Sequence, residues 1–216
     1  MNQKNGKNSL GIDICFEDLD NPIELFKKWF SKAEESEIND PNAVAVATSN
    51  KNNQPNVRMV LLKGLSNKGF VFYTNFNSKK GNELKENQKA SMCFHWKSLR
   101  RQVRAIGIVE EVSAKEADDY FNSRPYKNRI GAWASSQSKK LDKRETFLKN
   151  IKAYEKKYPN EKNVPRPPHW SGWRLLPNEI EFWLDGEGRI HERLNYRKKM
   201  EIGRKSSFIL KKIYSD

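Results

Sequence analysis

Short apolar runs separated by turn-forming residues limit the architectures open to this 216-residue chain. Three such runs, at residues 43–48, 57–63 and 69–75, are bounded by clusters of Asn, Lys, Gly or Pro. Runs of this length between such clusters are typical of β-strands, and their close spacing predicts an antiparallel meander. Further strand-like runs follow at residues 90–96, 102–112, 173–176, 179–184, 189–194 and 207–213.

Helical patterns interrupt these runs. Residues 20–36 combine a polar cap, Pro22 in the first turn and an apolar stripe that includes Phe26 and Trp29. Helices inserted between antiparallel strands predict an α+β fold, a closed or partly closed barrel with surrounding helices. The chain has no βαβ alternation, GxGxxG or GxxxxGK[ST], which argues against a Rossmann or P-loop site. Three more helices are predicted, one from Ser78 to about residue 88, one opened by the capping-box pattern of Ser113 and Glu116, and one over about residues 142–158.

The length predicts one domain, which we place at residues 20–216 after an N-terminal segment, residues 1–19, that we expect to be flexible. No run approaches the roughly 18 apolar residues of a membrane span, and residues 1–9 lack the apolar stretch of a secretory signal. The two cysteines, Cys15 and Cys93, have neither metal-site spacing nor a disulfide framework. We therefore expect a soluble cytoplasmic protein without a metal site.

The formal net charge of +14 attracts anionic partners at long range. Nucleic acid, phosphorylated small molecules and a lysine-rich surface without a specific partner would all fit this charge. The chain shows no helix-turn-helix, zinc-finger spacing or aromatic RNP-like strand. We therefore expect no nucleic-acid partner.

The strand-like run at residues 58–63 carries a cation at each end. Arg58 and Lys63 are five positions apart, which places them on opposite faces of a regular strand. They would then contact different ligands, unless the strand bends. An ordinary strand with charged ends is the alternative interpretation.

Polar groups gather where the next strand gives way to a helix. Tyr73, Thr74 and Asn75 end the strand, and Ser78, Lys79 and Lys80 begin the helix. Free N–H groups at a helix N-terminus and adjacent lysines suit a phosphate group. A solvated surface turn is the alternative, although lysines at a helix start are unfavourable without an anion.

Tyr120 and Arg124 are four residues apart and share a helix face, and Pro125 ends that helix at Arg124. A terminal arginine beside a tyrosine can hold a phosphate with two hydrogen bonds. A packed tyrosine and a surface ion pair explain the same residues equally well.

Residues 180–193 read as a strand, a glycine-containing turn and a second strand. Along that second strand, Arg189, His191 and Arg193 alternate onto one face. Such a row packs poorly in a core and predicts a site for an anionic or electron-rich ligand. His191 can titrate near neutral pH and could transfer a proton, although a single histidine is more often structural.

These clusters, in this order, resemble those of the pyridoxamine 5'-phosphate oxidase family over residues 20–193. The motifs that carry the resemblance are RMVLLK, FYTN followed by SKK, RRQV, YFNSRP, IGAWASSQS, PPHWSGWR and EFWLDGEGRIHER. The resemblance implies a homodimeric FMN-binding split β-barrel with both active sites at the subunit interface. It also implies oxidation of pyridoxamine or pyridoxine 5'-phosphate to pyridoxal 5'-phosphate by dioxygen, with release of hydrogen peroxide, and of ammonia from the amine.

The same resemblance assigns roles to individual residues. Arg189 and His191 would be the catalytic residues beside the pyridine ring. The implied FMN contacts are Arg58, Met59, Val60, Leu61, Leu62, Lys63, Tyr73, Thr74, Lys79, Lys80, Gln102, Gln137, Ser138, Trp183 and Arg193. The implied substrate contacts are Lys63, Tyr120, Arg124, Asn128, Arg189, Ile190 and His191.

The chain departs from the family pattern in places. The family has an arginine-rich stretch that covers the substrate ahead of the first helix, whereas residues 9–20 read SLGIDICFEDLD and are acidic. Asn128 stands where serine is common, and an amide can also donate to phosphate. Leu184 and the C-terminal KKIYSD also differ from the family pattern. A competing interpretation is a split-barrel protein that binds FMN or pyridoxal phosphate without oxidising this substrate.

Overall fold

The computed structural model describes residues 6–8, 11–17, 19–199 and 207–215. The strand pairings in this part of the chain are antiparallel. None of its helices is both long enough and apolar enough to cross a membrane. The helices are α1 (Pro22–Ser36), α2 (Lys79–Glu86), α3 (Ala114–Ser123), α4 (Tyr126–Ala134) and α5 (Arg144–Lys157). The strands are β1 (Ala43–Ser49), β2 (Pro55–Leu61), β3 (Gly64–Ser66), β4 (Gly69–Asn75), β5 (Lys89–Trp96), β6 (Arg101–Glu111), β7 (Trp170–Leu184), β8 (Glu192–Lys199) and β9 (Ser207–Ser215).

The sheet divides at β7, a strand of 15 residues. One side of β7 pairs with β6. The other side pairs with β4 over residues 170–175 and with β8 over residues 179–184. The main path of hydrogen-bonded strands is β2-β1-β5-β6-β7-β4-β3. Strand β8 pairs with β7 outside this path, and β9 pairs with β8. Strand β2 also contacts β4. The sheet therefore curls into a split barrel, and the predicted α+β barrel with surrounding helices is confirmed.

A bulge bends the sheet where β6 crosses β7. The register shifts between Ile106 and Gly107, and Gly107 lies opposite Pro177. Pro177 has no N–H to donate to the ladder. A Cβ atom on Gly107 would lie 2.0 Å from the carbonyl oxygen of Leu176, so this crossing requires glycine. The runs at 173–176 and 179–184, predicted as separate strands, are therefore one bent strand.

Helix α1 packs its apolar stripe into the main core, against side chains of the sheet. Its N-cap Asn21 accepts a hydrogen bond from the backbone N–H of Ile23, and Pro22 occupies the first turn. The buried ring of Phe26 contacts Phe70 and Phe94 edge-on, with both centroid distances at 4.9 Å. The aromatic stripe predicted from the sequence is thus the centre of the main core.

Two elements differ from the sequence prediction. Pro125 ends α3 as expected, but it also caps α4, because its carbonyl oxygen accepts from the N–H groups of Asn128 and Arg129. Helix α4 was not predicted. The strand predicted at 189–194 begins only at Glu192, after a 3-10 turn at residues 187–189.

The prediction that Arg189, His191 and Arg193 alternate along one strand is therefore wrong. Gly188 and Arg189 have φ angles of 63° and 64°, which place both residues in the left-handed region. The Ile190 N–H then closes the turn onto the carbonyl oxygen of Glu187. Arg193 lies in β8, whereas Arg189 belongs to the turn and His191 to the link between turn and strand.

Part of the N-terminal segment packs on the barrel. Phe16 is fully buried against the ring of Trp29, at a centroid distance of 5.2 Å. The backbone N–H of Asp13 donates to the Glu192 carboxylate at the start of β8, at 2.7 Å. Residues 1–5, 9, 10 and 18 of the predicted flexible segment lie outside the described residues.

Candidate active site

A cavity of about 510 Å³ opens between the end of β2, the end of β4 and helices α2, α3 and α4. This volume lies in the range of ligand pockets in proteins, roughly 300–1,000 Å³. The cavity brings together several predicted FMN contacts, namely Met59, Val60, Leu61, Lys63, Tyr73, Thr74, Lys80 and Gln137. It also contains the predicted substrate contacts Tyr120, Arg124 and Asn128.

Lys80 is a buried cation at the start of α2. Ser78 caps this helix by accepting from the Gly81 N–H at 3.2 Å. The Lys80 ammonium contacts only Ser78 Oγ at 3.5 Å and Gln137 Oε1 at 3.4 Å, and has no carboxylate partner among the described residues. Burial, followed by the charge of Arg58, lowers the pKa of Lys80 to about 8. A buried ammonium beside helix N–H groups suits an anionic ligand.

Arg58 faces the barrel body rather than the cavity. Its guanidinium pairs with Glu83 at 3.1 Å and donates to Thr48 Oγ1 at 2.5 Å. Lys63 lies beyond the end of β2 and lines the cavity. The two cations at the ends of the RMVLLK motif therefore have different surroundings, although Lys63 lies outside β2 and strand alternation does not account for the difference.

Three near-parallel rings form one wall of the cavity. Tyr73 stacks on Tyr120 with centroids 4.0 Å apart and on Trp170 with centroids 5.2 Å apart. Burial, followed by the nearby charge of Glu116, raises the pKa of Tyr73 to about 12, and burial also raises the pKa of Tyr120. Both hydroxyls are therefore protonated at neutral pH and can donate hydrogen bonds.

Helices α3 and α4 are anchored by polar contacts outside the cavity. Ser113 caps α3 as the sequence predicted, by accepting from the Glu116 N–H at 3.1 Å. The Glu116 carboxylate pairs with Arg174 of β7 at 2.7 Å, so α3 is tied to the sheet. Arg129 of α4 donates to the carbonyl oxygen of Glu161 at 2.6 Å. These contacts fix the helices that carry Tyr120 and Asn128.

A second group of predicted residues lies outside this cavity, around the β7–β8 hairpin. Gln102, Trp183 and Arg193 are register partners on β6, β7 and β8. The His191 ring lies 4.8 Å from the ring of Trp183. Its Nδ1 atom lies 3.2 Å from the Gly186 N–H nitrogen and 3.1 Å from Asp185 Oδ1. Arg189 and Ile190 are exposed at the hairpin tip.

The two groups do not share a cavity within one chain. Thr74, in the cavity, pairs with Ser171 of β7, whereas Trp183 lies twelve residues further along the same strand. At roughly 3.3 Å per residue, these positions are separated by about 40 Å of strand.

The remaining predicted contacts do not line the cavity. Leu62 is part of the apolar core, and Lys79 and Ser138 are exposed. Conversely, sequence reasoning gave no role to Trp170, which lines the cavity and belongs to the PPHWSGWR motif. Asn75, Lys127, Gly131, Ala132 and Ser135 also line it.

The divided sheet defines a split-barrel protein, and Lys63, Lys80 and Arg124 are among the residues that line its cavity. Its fold is similar to that of PhzG from Burkholderia lata, solved in complex with tetrahydrophenazine-1-carboxylic acid. The TM-score is 0.82 at 27% identity, over 95% of this chain and 98% of PhzG. A pyridoxamine 5'-phosphate oxidase-related, FMN-binding protein from Nostoc punctiforme shares the fold at 16% identity, with a TM-score of 0.68 over 88% of this chain and 97% of its own.

Sequence comparison gives the family. A family model described as "Pyridoxamine 5'-phosphate oxidase" matches residues 30–158, and one described as "Pyridoxine 5'-phosphate oxidase C-terminal dimerisation region" matches residues 170–208. The pyridoxine/pyridoxamine 5'-phosphate oxidase of Pelagibacter ubique is 61% identical over 91% of this chain and 95% of its own length. That of Bartonella henselae is 55% identical over 87% and 90%. The chain belongs to the pyridoxamine 5'-phosphate oxidase family.

Proposed function

We propose that the chain is an FMN-dependent oxidase that converts pyridoxamine or pyridoxine 5'-phosphate to pyridoxal 5'-phosphate, with dioxygen as acceptor and hydrogen peroxide as product. Ammonia is released from the amine. The observation that carries this proposal is a pair of cations, the buried Lys80 and the half-buried Arg124, that line one cavity. Neither cation contacts a carboxylate among the described residues. Two such cations suit two phosphate groups, one on FMN and one on the substrate.

The residues present fit FMN. Lys80 at the N-terminus of α2 would hold the FMN phosphate, with Thr74 and Gln137 beside it. The ends of β2 and β4 supply the Met59, Val60 and Leu61 positions for the ring system. When bound, FMN would accept two electrons from the substrate and pass them to dioxygen. The protein's part is to bind and orient both molecules.

The substrate phosphate would lie against Arg124, Tyr120, Lys63 and Asn128. The tyrosine hydroxyl donates, and the two cations supply charge in a partly buried wall. Anchoring this unreactive group restricts the pyridine ring to one orientation, which can lower a barrier by roughly 7–11 kcal/mol at best.

Arg189 and His191 would reach the pyridine ring from a second copy of the chain. The hairpin that carries them lies within residues 170–208, the family's dimerisation region. Val57 and Met59 on β2 and Ile106 and Ile108 on β6 are exposed apolar side chains, which supports coverage by a partner. A homodimer would therefore contain two shared sites.

His191 would exchange a proton with the substrate through its Nε2 atom, because its Nδ1 atom already contacts Gly186 and Asp185. The Nδ1 atom accepts from the Gly186 N–H when it carries no proton and donates to Asp185 when it does. Either contact fixes the ring orientation beside Trp183.

The proposal also includes a cytoplasmic location and no nucleic-acid partner. Cys15 and Cys93 are both free thiols, which suits a reducing compartment. Binding of the protein to DNA or RNA that weakens steeply as the salt concentration rises would contradict the expected absence of a nucleic-acid partner.

An anaerobic titration tests the activity. Pyridoxine 5'-phosphate is added to the FMN-loaded protein while the visible absorption of oxidised flavin is followed, with unphosphorylated pyridoxine as the control. We expect the phosphorylated compound to bleach the flavin and admitted air to restore it. Binding of FMN without bleaching would favour a split-barrel protein that acts on another compound.

A further inference from the structure

Trp170 lies at the junction of the aromatic wall and the cationic wall of the cavity. It is the first residue of β7 and is 6% exposed. Its ring is within 9° of parallel with that of Tyr73. On the cationic side, the guanidinium carbon of Arg124 lies 4.8 Å from the centroid of the Trp170 ring. This distance is within the range of a cation–π interaction.

Arg124 is half-buried, and one of its guanidinium nitrogens lacks a hydrogen-bond partner among the described residues. This nitrogen, Nη1, is itself buried. Burial lowers the pKa of Arg124, the neighbouring Tyr120 raises it in part, and the charge of Arg129 lowers it again. The electron-rich faces of aromatic rings are therefore the groups that hold this charge, with Phe121 at 5.7 Å as the more distant ring.

The surroundings restrain both members of the pair. Arg124 has extended backbone angles before Pro125, and its N–H donates to the carbonyl oxygen of Phe121 at 3.2 Å. Trp170 is held through its carbonyl oxygen, which accepts from Arg166 Nη1 at 2.8 Å. The ring of Phe121 packs edge-on against Trp170 at 5.1 Å. The guanidinium direction thus depends on the indole face beneath it.

We propose that Trp170 is a positioning residue for substrate recognition, whose indole ring holds the Arg124 guanidinium in the direction that receives the substrate phosphate. This inference rests on the proposed function, in which Arg124 binds that phosphate. Trp170 acts through Arg124 and need not touch the substrate. Replacing Trp170 should therefore change the preference of the protein for phosphorylated over unphosphorylated ligands.

The test is equilibrium binding to the FMN-loaded protein by titration calorimetry. The probes are 4-deoxypyridoxine 5'-phosphate and 4-deoxypyridoxine, which lack the hydroxyl group that would be oxidised. Trp170→Met removes the aromatic face, and Trp170→Phe keeps one. We expect Trp170→Met to reduce the preference for the phosphorylated probe by about tenfold, and Trp170→Phe by no more than about threefold.

Two variants separate this role from simple loss of structure. Trp133→Leu removes a tryptophan that lies on α4 outside the cavity lining, and should leave the preference unchanged. In an Arg124→Ala background, Trp170→Met should cause no further loss, because the group that it positions is gone. In turnover of pyridoxine 5'-phosphate, Trp170→Met should raise KM about tenfold and change kcat by less than about twofold.

Fluorinated tryptophan provides a probe for the case in which Trp170→Met does not fold. Incorporating 5-fluorotryptophan weakens the electron-rich face while nearly preserving the ring shape. This substitution should lower the preference of the wild-type chain for the phosphorylated probe. It should leave the same preference of the Trp170→Phe chain unchanged. An unchanged preference in both would overturn the positioning role.

The outcomes distinguish this inference from the proposed function. A wild-type protein that binds both probes equally overturns both, since Arg124 would then hold no phosphate. A strong wild-type preference that survives in Trp170→Met overturns the positioning role alone. Equal losses in Trp170→Met and Trp133→Leu would also overturn it, because the effect would not be specific to the Arg124 contact.

Discussion

The carboxylate of Glu83 on α2 lies 3.1 Å from the guanidinium of Arg58 on β2. The same carboxylate accepts hydrogen bonds from Thr48 Oγ1 at 2.5 Å and from Asn56 Nδ2 at 3.2 Å. Burial alone would raise the pKa of Glu83, but these hydrogen bonds and the Arg58 charge lower it below its ordinary value of 4.5. One buried carboxylate therefore fixes the helix that carries Lys80 to two strands of the barrel.

Glu83→Gln should lower the free energy of unfolding at neutral pH by about 2 kcal/mol, because Arg58 would lose its counter-charge in a partly buried place. The pKa of Glu83 is depressed in the folded state, so its contribution is present above the unfolded pKa and lost as pH falls through the folded pKa. The difference in the free energy of unfolding between Glu83→Gln and wild type should therefore become smaller at acidic pH. Urea unfolding at neutral pH and at about pH 3.5 measures both effects.

Glu86→Gln, an exposed position on the same helix, serves as the control and should change stability by no more than about 0.5 kcal/mol. Equal effects at positions 83 and 86 would contradict the role given to the Arg58 ion pair.

Lys80 should make FMN affinity depend on pH. Its pKa in the free protein is lowered to about 8, so the ammonium becomes neutral as pH rises above that value. A phosphate binds the charged form, and FMN affinity should therefore be nearly flat at lower pH and fall by up to about tenfold per pH unit above it. Flavin fluorescence titrations between about pH 7 and pH 9.5 measure this, because the FMN phosphate is already mostly dianionic there.

Lys80→Met should weaken FMN binding by about tenfold or more at neutral pH and remove the dependence on pH. Lys79→Met is the matched comparison, since Lys79 is exposed and lies outside the cavity lining. A larger loss from Lys79→Met than from Lys80→Met would contradict the placement of the FMN phosphate beside Lys80.

Local patterns predicted the parts of the fold that depend on local interactions. The stripe of α1 and the Ser78 cap of α2 follow from helical periodicity and from hydroxyl capping, which act within one turn of chain. Tyr73, Thr74 and Lys80 could be grouped because a strand end and a helix start adjoin in sequence. The α+β barrel followed from the order of these elements.

Features set by distant contacts could not be predicted in this way. Arg58 turns towards Glu83, 25 residues away, and Trp170 reaches Tyr73 only because β7 pairs with β4. Arg189 has a left-handed φ, which non-glycine residues rarely adopt, and so strand alternation could not predict the position of its side chain. Pro125 was recognised as a helix stop but not as the cap of the next helix.

Phe16→Ala should lower the free energy of unfolding by about 3–5 kcal/mol, the usual cost of removing a fully buried aromatic side chain. Its ring packs on Trp29, and the backbone beside it is held because Trp29 Nε1 donates to the carbonyl oxygen of Cys15 at 2.8 Å. Thermal and urea unfolding measure the change. Ile14→Ala alters a 59% exposed side chain in the same segment and should have almost no effect. Similar small effects from both variants would mean that the segment contributes little to the stability of the barrel.

The separation of the two groups of site residues along β7 predicts complementation between inactive variants. Arg124→Ala removes a cation that lines the cavity, and Arg189→Ala removes a cation of the hairpin. Each homodimer should therefore lose most of its turnover, while Arg189→Ala still binds FMN. If each site takes its cavity from one copy and its hairpin from the other, a mixed dimer has one site with both arginines intact. Unfolding and refolding the two variants together should then restore roughly a quarter of wild-type turnover, because half of the dimers are mixed and each has one working site. Refolding each variant alone is the control. A mixture that stays inactive although mixed dimers have formed would show that the cavity and the hairpin serve the same site from one chain.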